Sequence, residues 1–138
     1  PVFTRKGEYT TRGWTEWTQG FVFGSALLQF DAAGDEWALQ YGRTGTREHM
    51  GDHVTHTGVH DHGFNCVSTY GNLRRLIAEG RLPENADEIA FLEMALASSG
   101  VVQAARWTEL SPTARIRCSS TPCARCARWR SATCWAAC

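Results

Sequence analysis

Four stretches of this chain repeat apolar residues in steps of three and four, the spacing that gathers them on one face of an α-helix, and turn residues separate the stretches. In the first, Trp14, Trp17, Phe21 and Leu28 predict a helix that stops at Ala32-Ala33-Gly34-Asp35, where Gly34 can end one helix and Asp35 can cap the next. The second runs from about Glu36 to Met50 and puts Trp37 and Tyr41 together. Phe64, Val67, Tyr70, Leu73 and Ile77 mark a third, ending near Gly80 and Pro83. The fourth starts at Asn85, with Glu88 three residues on as in a capping box, and carries Ile89, Leu92 and Leu96 as its stripe. No alternating strand pattern competes. The fold class is therefore all-α: two antiparallel helical hairpins, a unit that usually repeats. Two hairpins alone leave an apolar edge for further ones to cover, which predicts aggregation or molten behaviour.

A length of 138 residues allows one domain, but the composition divides near residue 112. Basic and acidic residues balance at 14 each, yet every acid precedes residue 113. Residues 1–112 hold nine basic against 14 acidic side chains, a formal net of −5, and lack the basic face that phosphate contacts need. A nucleic-acid partner is not expected. Nor is a membrane, because no run approaches the roughly 20 apolar residues of a membrane span. The residues themselves leave the cellular location open.

Residues 113–138 hold five arginines and five of the six cysteines, with no Leu, Val, Phe, Gly or acid. Globular sequence rarely has that composition, whereas a GC-rich gene read out of frame produces it. Back-translated and shifted by one nucleotide, the segment can read Gly-Pro-His-Ser-Leu-Phe-Val-Asp-Thr-Leu-Arg-Ala-Leu-Arg-Ala-Leu, a turn followed by an amphipathic helix. The expectation is a partial helical domain over 1–112 and an out-of-frame tail over 113–138. The competing reading is a cysteine cluster formed by Cys118, Cys123, Cys126, Cys134 and Cys138, binding zinc or forming disulfides. Zinc normally calls for paired Cys-x2-Cys elements, and only one is present.

All five histidines lie within 14 residues, at His49, His53, His56, His60 and His62, with Asp52 and Asp61 among them. The polar stretch 51–62 predicts a loop. Imidazoles and a carboxylate could bind zinc or iron there, making the chain a small metal-binding helical module, although the spacing fits no standard ligand pattern. Alternatively His60 and Asp61 stand just before the third helix and form a polar site that holds a sugar or shares protons with a second carboxylate. His49, His53 and His56 are expected to be solvated, and Trp14, Phe23 and Trp37 to pack in the core. A third reading is a non-catalytic fragment that binds carbohydrate through Trp14 and Trp17.

Trp17-Thr18-Gln19-Gly20-Phe21-Val22-Phe23-Gly24, then Gly34-Asp35, then His60-Asp61-His62-Gly63-Phe64 followed by Ser68-Thr69-Tyr70-Gly71, resemble the unsaturated glucuronyl hydrolases of glycoside hydrolase family 88. The likeness covers residues 14–108. It implies an (α/α)6 barrel, of which two hairpins are a third, and a cytoplasmic location. It further implies a glycosidase that needs no cofactor or metal and releases 4,5-unsaturated uronic acid from the non-reducing end of oligosaccharides left by polysaccharide lyases. In that family an aspartic acid protonates the enol-ether double bond and helps water add at C5; the hemiketal then opens and releases the sugar. A neighbouring carboxylate keeps such an acid protonated by disfavouring a second charge.

By this resemblance Asp61 is the first of the two catalytic aspartates, and Trp17, Phe21, His60 and His62 bind substrate. The second aspartate falls where Ser120 and Thr121 stand, and the shifted frame permits an aspartate across that boundary. As written, the chain is therefore expected to be inactive. Glu16 stands where an aspartate is common, and His62 occupies a variable position of the motif, so the preferred substrate is not fixed.

Overall fold

A computed structural model describes residues 4–10, 17–108 and 117–118. After a short antiparallel pair, β1 (Thr4–Arg5) and β2 (Glu8–Tyr9), come α1 (Gln19–Ala33), α2 (Glu36–His49) and α3 (Gly51–Thr55). A π-helix (Gly63–Gly71) runs on into α4 (Asn72–Ala78), and α5 (Ala86–Ala105) follows. Two residues each of β3 (Trp107–Thr108) and β4 (Arg117–Cys118) pair antiparallel. The molecule is mainly helical, as its apolar spacing predicts. The β1–β2 hairpin is unforeseen; it turns through Lys6 and Gly7, both at positive φ, as a tight two-residue turn requires.

The helix ends follow the sequence closely. Gly34 takes the left-handed conformation, at φ 70°, and its N–H donates to the Phe30 carbonyl, so α1 stops there. Asp35 accepts from the Ala38 amide at 3.2 Å and starts α2. Asn85 does the same for the Glu88 amide at 3.0 Å. The Glu88 side chain, however, does not complete a capping box: it is buried and bonds the Arg43 guanidinium on α2.

Residue pairs along the helices give their directions. Gly42 meets Leu27 and Gly45 meets Phe23, so α2 advances as α1 recedes. His62 meets Ser99, Tyr70 meets Phe91 and Arg74 meets Glu93, so the π-helix and α4 are antiparallel to α5. By contrast Gly20 pairs with Asn65 and Asp31 with Arg75, at separations of 45 and 44 residues, so α1 runs parallel to the π-helix and α4. Arg43 and Glu88, also 45 apart, relate α2 to α5 in the same sense. Two antiparallel hairpins thus lie side by side in parallel.

The core is formed by Phe23, Leu27, Phe30, Leu39, Met50, Tyr70, Leu73, Leu76, Ile77 and Leu92. Burying each such side chain contributes about 2 kcal/mol relative to leaving it in water. Three expectations change. The core stripe of α1 is Gly20, Phe23, Gly24, Leu27 and Phe30, while Phe21 and Leu28 are exposed. Because α1 is apolar on most sides, spacing alone does not tell its inner face from its outer one. Trp37, expected in the core, is 72% exposed. Finally, the 51–62 stretch opens with a helical turn, α3, which packs on α5 and carries the buried His53 and Val54. Trp14 and Glu16 lie outside the described residues, as does the tail apart from residues 117–118.

Within the π-helix the Thr69 hydroxyl donates to the Asn65 carbonyl at 2.6 Å, and at its end the Asn72 side-chain amide donates to the Ser68 carbonyl at 2.9 Å. One further correction concerns α5. At 20 residues, with a mean hydropathy of 1.2, it meets a length and composition test for crossing a membrane. The same helix carries Asp87, Glu88 and Glu93 and buries Leu92, Ala95 and Ser99 against its neighbours, as a helix of a packed bundle does.

Candidate functional site

The two motif pieces, which begin 43 residues apart at Trp17 and His60, meet at one end of the bundle. Gly20 lies so close to the π-helix that a Cβ there would sit 2.4 Å from the Phe64 carbonyl oxygen and 2.5 Å from the Asn65 Cα. Gly24, one turn on, approaches the Ser68 carbonyl in the same way, at 2.6 Å. Only glycine allows backbones to pack at this distance, which gives the Gly20-x3-Gly24 spacing its structural meaning.

This contact gathers three aromatic rings. Trp17 lies 6.0 Å from Phe21 and 5.4 Å from Phe64, and Phe21 lies 5.6 Å from Phe64, centroid to centroid. All three are exposed, at 46%, 39% and 47%. Grouped open rings of this kind offer faces on which the C–H side of a pyranose can stack. Asp61 stands one turn before Phe64, and its carbonyl accepts from the Asn65 amide at 3.1 Å. The Asp61 side chain is 17% exposed and has the His60 Nε2 at 3.5 Å from Oδ1; the His60 ring itself is 77% exposed. A mostly covered carboxylate beside an open imidazole can accept a hydrogen bond from a hydroxyl at a ligand's polar edge.

His62, two residues from His60, is placed quite differently. It is buried, with Nε2 at 2.7 Å from the His56 carbonyl and Nδ1 at 2.8 Å from the Ser99 hydroxyl. A carbonyl can only accept, so Nε2 carries the proton and the Ser99 hydroxyl donates to Nδ1. Burial lowers the pKa of His62 and favours this neutral form; the bond to the His56 carbonyl acts in the opposite direction. Both ring nitrogens have partners within the fold, so His62 holds the loop here, whereas the motif resemblance had it bind substrate.

His53 is buried as well. Its Nε2 lies 2.9 Å from the Gln19 Oε1, and burial, with His56 close by, lowers its pKa. It was expected to be solvated; instead it fastens the start of α1 to α3. His49 stacks on Phe23 at 5.6 Å. The histidines thus face different elements, and among the described residues no three His, Cys, Asp or Glu side chains are placed to hold a metal ion. Cys66, the one body cysteine, is buried, which pushes its thiol pKa up.

Sequence reasoning missed Phe64, Asn65, Gln19 and Ser99 as parts of the site. Phe64 was legible within its motif, and Gln19 and Asn65 each adjoin a motif residue that packs tightly; nothing local marks Ser99. A second group of rings, with Trp37 stacked on Tyr41 at 5.4 Å and 8° and Phe23 beside Tyr41, lines an open cavity of about 490 Å³ together with Gln40, Thr44 and Glu48. No residue of the His60–Phe64 motif lines it. Comparison with known proteins finds no matching family model, no matching curated protein and no matching solved structure.

Proposed function

We propose that this chain carries the first two hairpins of an unsaturated uronyl hydrolase, a glycosidase that acts by hydrating the enol ether of a 4,5-unsaturated uronic acid. The observation that carries the reading is the joining of the two motifs: Trp17, Phe21 and Phe64 form one exposed platform beside His60 and Asp61. In the reaction, a proton adds to C4 of the double bond and water to C5, and the hemiketal opens to release the next sugar. Asp61 supplies the carboxylate that orients the sugar and keeps a second aspartic acid protonated. Trp17, Phe21 and Phe64 stack on the ring, His60 meets its polar edge, and His62 fixes the loop from within.

The parallel packing of two hairpins supports an (α/α)6 barrel, since repeating the step of about 45 residues would bring further hairpins alongside. So do Leu28, Met94 and Val101, which are 51%, 62% and 69% exposed and would be covered by such neighbours. This reading assigns the second aspartate to the boundary of Ser120 and Thr121, where the shifted frame permits one. The chain as written lacks it and should leave the ultraviolet absorbance of an unsaturated uronyl disaccharide unchanged. A gene with the frame restored from codon 113 onward, and continued through the remaining hairpins, should encode a protein that removes that absorbance, and Asp61→Asn should abolish the effect. Turnover by the 138-residue chain would overturn the need for a second aspartate; no turnover by the restored protein would overturn the activity itself.

The exposed rings also favour a second reading, a carbohydrate-binding fragment without catalysis. Saturable binding of the same disaccharide by the restored protein, with no loss of absorbance, would decide for it.

A further inference from the structure

Trp17 and Phe21 reach Phe64 only while the first turn of α1 keeps its place against the turn that carries Asp61. Thr18, the residue before α1, makes no side-chain bond to the amides of that first turn. The missing acceptor comes instead from across the bundle: the Asn65 Oδ1 accepts from the Gly20 amide at 2.8 Å. Asn65 is 1% exposed, so the bond is shielded from water. Through its own amide the same residue is bonded to the Asp61 carbonyl at 3.1 Å. One residue therefore joins the helix that carries Trp17 and Phe21 to the turn that carries Asp61.

We infer that Asn65 is a positioning residue that caps α1 from a distance, sets the spacing of the aromatic platform from Asp61, and thereby governs affinity for the sugar ring. This rests on the proposed uronyl site. Local caps come from the residue next to a helix and hold only that helix. A cap supplied from another element holds the two elements in one relative position, and here the ligand-facing side chains are divided between those elements. Gly20 reinforces the arrangement, because its lack of a Cβ is what lets the backbone of Asn65 come close to α1. The geometry of the site is thus set by a residue that touches no ligand.

The test uses the full chain with Asn65→Leu, which removes the acceptor at similar volume, and Asn65→Asp, which restores one suited to a helix N-terminus. Two quantities are measured: hydrogen exchange at the Gly20 amide and the dissociation constant for an unsaturated uronyl disaccharide. Asn65→Leu should release the Gly20 amide and weaken binding roughly tenfold, as expected for one buried hydrogen bond. Protection at Leu27 and Leu92 should persist. Asn65→Asp should recover most of both effects, which a mere loss of packing would not predict. Unchanged affinity in Asn65→Leu, or no recovery in Asn65→Asp, overturns the inference. If Asn65→Leu does not fold, Asn65→Asp alone decides: near-wild-type exchange and affinity support the inference and their loss overturns it. Absence of binding by the wild type overturns a sugar platform on these two hairpins alone, whereas the uronyl reading itself is decided by the frame-restored protein. The distant cap is then judged at Gly20, where protection that survives Asn65→Leu overturns it.

Discussion

The same two parallel helices, α1 and the π-helix with α4, are joined by different means at their two ends. At the motif end Gly20 and Gly24 press backbone on backbone, and Asn65, His53 and His62 place neutral polar groups in buried, paired positions. At the other end Asp31 reaches Arg75 at 2.8 Å and Arg81 at 2.9 Å, while Arg75 also holds Glu79 at 2.7 Å. Every side chain in that second group is partly open to water. Buried polar groups are costly unless each is satisfied, so the motif end depends on exact shape, whereas the ionic end can lose a partner to solvent. A fold that needed only stability could have used apolar residues at both ends. The concentration of constrained polar groups at one end is the pattern expected where side chains must be held for a ligand.

The sharpest way to break the contrast is to give Gly20 a side chain. Gly20→Ala places a methyl within 2.8 Å of three backbone atoms of Phe64 and Asn65, none of which can rotate away. The helices must separate, at a cost of about 3 kcal/mol. Gly63, a glycine of the His60–Phe64 motif with nothing within 4 Å of its Cβ position, is the control. Gly63→Ala should be neutral or slightly stabilising, since alanine favours a helix. Urea denaturation of both variants measures the difference; equal midpoints would mean that close backbone contact is not what joins the two motifs.

Acid should act on the motif end next. Burial lowers the pKa of both His53 and His62 below the value of 6.5 that they regain on unfolding. The unfolded chain therefore takes up protons first, so the stability due to these histidines is present above pH 6.5 and is lost as the pH falls from there through the lower folded values. Thermal midpoints between pH 8 and pH 5 should decline, and His62→Gln should flatten the decline, because an amide can keep one of the two bonds without titrating. A wild-type profile that is flat across that range would contradict the buried, neutral assignment.

The sequence made some of this legible and hid the rest for physical reasons. Helix ends were readable because their signals are local: Gly34 needs a positive φ, and Asp35 and Asn85 cap the residues just after them. The meeting of the two motifs was not readable, since no local rule connects Trp17 to Phe64. The inner face of α1 was misread because Phe21, Phe23, Leu27 and Leu28 are equally apolar, and tertiary packing alone chooses among them. His60 and His62 were assigned the same role from the same motif, yet in the turn that leads into the π-helix one ring is open to solvent and the other is buried. Glu88 fits a capping box in sequence but finds a stronger partner in the Arg43 guanidinium.

The ionic end gives the smallest effect and the cleanest discriminator. Asp31→Asn removes a carboxylate that Arg75 and Arg81 share, but both guanidinium groups are open enough to recover water, and Arg75 keeps Glu79. The expected loss is about 0.5–1 kcal/mol, typical of exposed pairs. Contact with Asp31 also raises the Arg75 pKa, so the arginine keeps its charge. Salt separates the two ends further. Raising ionic strength from 0.05 to 0.5 M shortens the screening length to roughly 4 Å and should erase most of the Asp31→Asn difference, while the Gly20→Ala difference, which is steric, should remain. Chemical denaturation of both variants with urea, which adds no charge of its own, at the two salt concentrations makes the comparison; an Asp31→Asn loss that exceeds 2 kcal/mol or survives high salt would place a buried, shape-dependent contact at that end too.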